Sequence, residues 1–140
     1  MGLAGCTSKH QPRVEYLNSG TVLPEGFPFS EAVRLDNTLY LSGMVGVKPL
    51  TLELVPGGIE AESHQTMKNI RIMLKANGAS MDDVVKCTVM LADISEWKTF
   101  NQVYKTYFKG NYPARSALGA NGLALGARVE VECLALVGNK

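Results

Sequence analysis

The sequence predicts a single α+β domain, a mixed sheet with two helices on one face, and three observations predict it. The chain has 140 residues, enough for one hydrophobic core and too few for two. Its apolar residues recur with period two in some segments and with a helical period in others. These segments follow one another as β-β-β-α-β-α-β-β, an order that lays helices against one side of a sheet.

Val14 to Leu17 is a short extended segment ended by Asn18-Ser19-Gly20, and Pro24, Gly26 and Pro28 keep the following stretch irregular. Ala32 to Leu35 and Thr38 to Met44 flank Asp36-Asn37, a residue pair that suits a two-residue hairpin turn. Pro49 to Gly58 is a polar connection. The first long helix is expected over Ile59 to Asn77, because Ile59, Met67, Ile70 and Leu74 fall on one helical face. Glu60 and Glu62 near its start and Arg71 and Lys75 near its end suit the macrodipole, and Asn77-Gly78 is a left-handed stop. Ser80-Met81-Asp82-Asp83 offers a cap for one short turn.

Val85 to Leu91 alternates, with Val85, Cys87, Val89 and Leu91 expected on one side and Lys86, Thr88 and Met90 on the other. Asp93-Ile94-Ser95-Glu96 resembles a capping box for a second helix. There Trp97, Phe100, Tyr104, Tyr107 and Phe108 form an aromatic stripe expected to lie on the sheet, and Gly110 ends it. Ala114 to Leu118 is a short strand, Gly119 to Gly126 a loop. The last strand, Ala127 to Val137, alternates Val129, Val131, Cys133 and Ala135 against Arg128, Glu130, Glu132 and Leu134. One sheet face is left with Lys86, Thr88, Glu130 and Glu132 beside Met90, Leu134 and Leu136, and with no helix to cover it. Such a face predicts burial against other copies of the chain.

Composition narrows the function. The chain is 46% hydrophobic and 19% charged with a net charge of +1, so it lacks the basic stripe that phosphate-backbone binding needs and nucleic acid is an unlikely partner. Cys6, Cys87 and Cys133 cannot all pair within one chain and form no CxxC. His10 and His64 lack the spacing partners of a metal site, so no metal is expected. No apolar stretch approaches the ~20 residues of a membrane span.

The start of the chain carries its own signal. Leu3-Ala4-Gly5-Cys6 followed by Thr7-Ser8-Lys9 reads like a bacterial lipobox, yet only Met1 and Gly2 precede it. Two readings stay open: residues 1–12 are a disordered polar leader, with the domain spanning 13–140, or Cys6 carries a lipid and the domain sits outside the cytoplasm on a tether.

For chemistry, Arg115 stands at the start of a strand among small neighbours, Pro113-Ala114 and Ser116. Glu130 follows on a strand expected to return beside it as an antiparallel partner. A guanidinium and a carboxylate converging in a cleft bind a carboxylate substrate by a bidentate fork and hold a water for proton transfer. A surface salt bridge would leave the same trace in the sequence.

Seven blocks carry a resemblance: Pro28-Phe29-Ser30-Glu31-Ala32, Asn37-Thr38-Leu39-Tyr40-Leu41-Ser42-Gly43, Ala76-Asn77-Gly78-Ala79-Ser80, Asp83-Val84-Val85-Lys86 with Thr88-Val89, Asn101-Gln102-Val103-Tyr104, Pro113-Ala114-Arg115-Ser116 and Val129-Glu130-Val131-Glu132. In this order, across residues 13–137, the chain resembles the RidA family, also called YjgF or L-PSP. The resemblance implies a chorismate-mutase-like α+β fold assembled as a homotrimer. Its sheets would form a central barrel, with active sites in the clefts between subunits. It implies hydrolytic deamination of reactive 2-imino or enamine acids of the 2-aminoacrylate type to 2-keto acids and ammonia, with no cofactor and no metal. Arg115 would grip the substrate carboxylate and Glu130 would position or activate the water. Ser42, Gly43 and Asn101 would line the pocket. The family habit is cytoplasmic, against the lipid-anchored periplasmic location that a true lipobox would give.

The departures from the family pattern bear on the same pocket. Phe29 stands where the family has a tyrosine, Ala117 where a cysteine is frequent, and Met44-Val45-Gly46 where Gln-Ile-Pro is usual. They leave the arginine and glutamate in place and make the pocket less polar. A bulkier imino acid fits that change, as does a non-catalytic trimer that binds small carboxylates. A ribonuclease or translation-inhibitor role, attached to some relatives, is disfavoured by the neutral charge.

Overall fold

The structure, a computed structural model, describes residues 9–138. Cys6 and the lipobox lie outside the described residues. Strands β1 (Val14–Leu17), β2 (Ala32–Leu35), β3 (Thr38–Leu41), β4 (Met44–Val45), β5 (Val84–Leu91), β6 (Ala114–Gly119) and β7 (Val129–Leu136) form one sheet with helices α1 (Gly58–Ala76) and α2 (Trp97–Tyr104). The strand order is β1-β2-β3-β7-β5-β6, with β4 pairing β7. Only β5 and β6 run parallel, joined through α2, so the sheet is mixed.

The hairpin turn is where the sequence put it: Asp36 takes φ 52°, and its carboxylate accepts the Arg13 N–H at 2.9 Å. The expected continuous strand from Thr38 to Met44 is interrupted. Between the Tyr40–Leu134 and Met44–Val131 pairs, β3 and β4 advance four residues while β7 advances three. The extra residue lifts Ser42-Gly43 out of the ladder as a bulge. A second irregularity falls between Val84 and Lys86. Val84 is buried there and Val85 is 43% exposed, which corrects the inward placement of Val85. Register downstream is as expected, because a bulge flips only the residues before it.

α1 begins one residue early and ends in a Schellman stop, with Gly78 N–H on the Lys75 carbonyl and Ala79 N–H on that of Leu74. Ser80 and Asp83 cap each other over the next turn. The second expected capping box closes only on one side. Asp93 accepts the Ser95 N–H at 2.9 Å, but Glu96 pairs with Arg128 rather than turning back. α2 then ends at Tyr104, and Lys105–Tyr107 tighten into a 3₁₀ turn.

One core joins Met67, Ile70, Met73 and Leu74 of α1 and Phe100 and Tyr104 of α2 to the inward side chains of the sheet, among them Leu39, Cys87, Val89, Val131 and Ala135. Cys87 and Cys133 face each other across β5 and β7 with Cα atoms 4.1 Å apart and form a disulfide. Among the described residues no helix covers the opposite sheet face; it presents Val14, Tyr16 and Tyr40, the last two 74% and 44% exposed, beside Lys86, Thr88 and Glu132.

Candidate active site

Each candidate side chain takes its direction from strand register. Arg115 is in register with Cys87 on the parallel β5–β6 pair, so it points to the helix side. There its Cζ lies 4.7 Å from the ring centroid of Tyr104, 5.8 Å from that of Phe100 and 6.0 Å from that of Trp97. These three rings sit on one stripe of α2 together with Asn101, because residues three, four and seven apart share a helical face. Among the described residues Arg115 has no side-chain hydrogen bond or carboxylate partner, and the residue is half-buried. Ala117, two residues along β6, faces the same side and packs on the core.

Glu130 is in register with Met90 and with Val45, which places it on the uncovered face. The expected antiparallel pairing of its strand with that of Arg115 is therefore corrected. β5 lies between β6 and β7, and the two side chains project to opposite sides of the sheet. Sequence spacing could not reveal this, since it does not say which strand comes between two others. Partial burial, reinforced by the neighbouring charge of Glu132, pushes the Glu130 carboxyl above its ordinary range.

The bulge explains the glycine beside it. A side chain at Gly43 would overlap the Glu130 carboxylate, so only glycine lets that carboxylate lie against the backbone. The Ser42 hydroxyl donates to the Ser30 carbonyl at 2.6 Å and the Ser42 N–H to the Glu31 carbonyl at 3.0 Å. Ser42 thereby ties the bulge to the segment that carries Phe29. Tyr40, Ser42, Gly43, Lys86, Thr88 and Glu132 line a cavity of about 550 Å³ on the uncovered face. Phe29, 47% exposed with its ring tilted 30° to that of Phe27 at 5.0 Å, borders a separate cavity of about 260 Å³.

The candidates thus form two groups in one chain. Arg115 and Ala117 lie under α2, which carries Asn101, whereas Ser42, Gly43 and Glu130 lie on the uncovered face and Phe29 borders a separate cavity. Sequence reasoning took the aromatic stripe as core, and Phe100, Tyr104 and Phe108 are in the core with Tyr107 packed against it. Trp97 is 41% exposed, and the reading did not see that Trp97, Phe100 and Tyr104 also surround the arginine. It also passed over Glu31, which is 1% exposed and accepts the Ser19 hydroxyl at 2.7 and 2.9 Å. The signal for the rings was available in their helical spacing opposite a strand bearing a lone arginine.

A mixed sheet with two helices on one side defines a small α+β domain, with Arg115 on its edge strand. The chain belongs to the L-PSP family, that of RidA: the family model described as Endoribonuclease L-PSP matches residues 23–137. A mouse protein named 2-iminobutanoate/2-iminopropanoate deaminase is 48% identical over 111 residues, covering 79% of this chain and 82% of its own. Among solved structures, the yeast protein YEO7 superposes with a TM-score of 0.85 at 34% identity, over 89% of this chain and 99% of its own. Escherichia coli TdcF, solved with bound serine, gives 0.81 at 26% identity over 87% and 98%.

Proposed function

We propose that this chain hydrolyses small 2-imino acids, or their enamine tautomers, to 2-keto acids and ammonia. The observation that carries the reading is Arg115, a half-buried arginine without a carboxylate partner among the described residues, in a chain 48% identical to a curated 2-iminobutanoate/2-iminopropanoate deaminase. No carboxylate among the described residues competes for the Arg115 fork, which matches a ligand carboxylate in two parallel bonds.

In the reaction, water adds to the imine carbon, the carbon–nitrogen bond breaks, and ammonia leaves a 2-keto acid. Arg115 holds the substrate carboxylate and draws electrons from the conjugated system. Glu130, as the carboxylate, takes a proton from the attacking water and passes it to the imine nitrogen. It then takes the hydroxyl proton of the resulting carbinolamine and passes it to the amine as the carbon–nitrogen bond breaks and the carbonyl forms. Gly43 keeps the space in which that carboxylate sits, and Asn101 adds an acceptor beside Arg115. Arg115 and Glu130 lie on opposite sheet faces, so we assign them to one site by supplying them from adjacent copies of a homotrimer. The uncovered face with Tyr16, Tyr40 and Leu134 supports that assembly, its sheets meeting as a central barrel.

Kinetics on freshly generated 2-imino acids test the reading. Arg115→Lys keeps the charge and removes the fork, with an expected loss of about ten- to a hundredfold in kcat/KM. Glu130→Gln is expected to lower kcat more than it raises KM. Wild-type kinetics from Arg115→Lys would remove the clamp and the reading with it. Hydrolysis of RNA by nuclease-free protein would instead favour the activity in the family model's description.

A further inference from the structure

We infer that Tyr104 is a positioning residue for the reaction: its ring face seats the Arg115 guanidinium and holds it ready for the substrate carboxylate. The inference rests on the proposed role of Arg115 as the carboxylate clamp.

Three observations carry it. The Tyr104 centroid is the nearest of the three rings to Arg115 Cζ, at 4.7 Å, within the range where a cation is drawn to a ring face. Tyr104 is itself packed in place. It is 5% exposed and held between Phe100 at 5.5 Å and Phe108 at 4.8 Å. Finally, its buried hydroxyl and the Asn101 Oδ1 one turn away lack hydrogen-bond partners among the described residues. Burial of an unpartnered hydroxyl is unfavourable, so the ring is kept there for something other than its own polar contact. The cation next to it is that something.

The consequence is kinetic. An arginine free on the surface loses rotamer freedom when it grips a ligand, whereas a seated one has already lost it. Removing the seat therefore weakens ground-state and transition-state binding together, which appears in KM rather than kcat. Because the attraction comes from the ring's negative face, fluorine on the ring weakens it in steps while the shape stays nearly constant.

The test compares Tyr104→Leu, Tyr104→Phe and a series of mono-, di- and trifluorinated phenylalanines at position 104, with 2-iminopropanoate generated in place as substrate. Leucine is expected to raise KM about tenfold while kcat holds within about twofold, and Phe to restore KM nearly to wild type. In the fluorinated series log KM is expected to climb with each fluorine, at unchanged melting temperature; this arm decides the matter if the leucine variant does not fold. A flat series overturns the positioning role. Arg115→Ala, run alongside, tells the two failures apart. If it raises KM sharply while the series stays flat, the clamp stands and only the seat falls. If Arg115→Ala leaves KM unchanged, both fall.

Discussion

Arg115 and Glu130 point to opposite sides of one sheet, with β5 running between their strands. No rotamer change brings side chains through a sheet, so one chain cannot close a site with both. Either the two residues do unrelated work or each acts with the counterpart from another copy. The uncovered face that bears Glu130 also bears Tyr40, Lys86 and Leu134, a half-apolar surface of the kind that self-association buries.

Mixing therefore gives a direct test of the shared site. Arg115→Ala and Glu130→Gln proteins, each almost inactive, are expected to regain activity when unfolded together and reassembled at equal amounts. A random trimer places a sound arginine against a sound glutamate at about a quarter of its clefts. Native mass spectrometry should show assemblies of three 15.1 kDa chains. A mixture as inactive as its components, in confirmed mixed trimers, would place the chemistry within single chains.

Gly43→Ala is expected to damage catalysis while sparing the fold. The three atoms nearest the added methyl all belong to the Glu130 side chain, so the carboxylate swings aside at little cost in stability. We expect kcat to fall about tenfold or more, as for a misplaced general base, with a melting temperature close to wild type. A large drop in melting temperature with kcat preserved would show that Gly43 serves the bulge alone.

The sequence made the elements legible because each carried a local signal: Asp36-Asn37 for the hairpin, Asn77-Gly78 for the end of α1, alternation through Cys133 for β7. It hid whatever depends on contacts distant along the chain. The bulge at Val85 arises where β5 and β7 must be matched in length, and nothing in Asp83-Val84-Val85-Lys86 announces it. The position of β5 between β6 and β7 decides which way Arg115 faces relative to Glu130, and only the whole topology contains that fact. A family pattern could thus propose candidate residues, while their arrangement in space, set by the strand order, was not in the sequence. The Cys87–Cys133 pair lies between these cases: both residues fall on inward registers, but their direct opposition needs the β5–β7 pairing.

That disulfide yields a stability prediction. It closes 46 residues of sequence, and a loop of that size contributes about 4 kcal/mol on the chain-entropy model. The Cys87→Ala, Cys133→Ala double variant is expected to lose about 2–4 kcal/mol in denaturant unfolding, and dithiothreitol should bring the wild type towards the same midpoint. Equal midpoints for oxidised and reduced wild type would show that the bridge adds nothing beyond two packed thiols.

The pH dependence follows from Glu130. Its carboxyl is raised above the ordinary value of 4.5, first by burial and then by the charge of Glu132. In the window between 4.5 and the raised value, the folded chain binds more protons at this site than the unfolded chain. Stability from this group is therefore complete below 4.5 and lost as pH rises through the window, since the slope of unfolding free energy is negative wherever the native state is the more protonated. Glu130→Gln removes that loss. The variant should melt at least as high as wild type at pH 7, with the difference closing below pH 4.5. Activity runs the other way, because the attacking water needs the ionised carboxylate: kcat should rise with pH through the same window. Glu132→Gln removes the charge next to it and should move both the stability change and the rise in kcat to lower pH. Melting curves and rate profiles from pH 4 to 8 check the pair. A rise in kcat that stays in place when Glu132 is neutralised would assign it to a group other than Glu130.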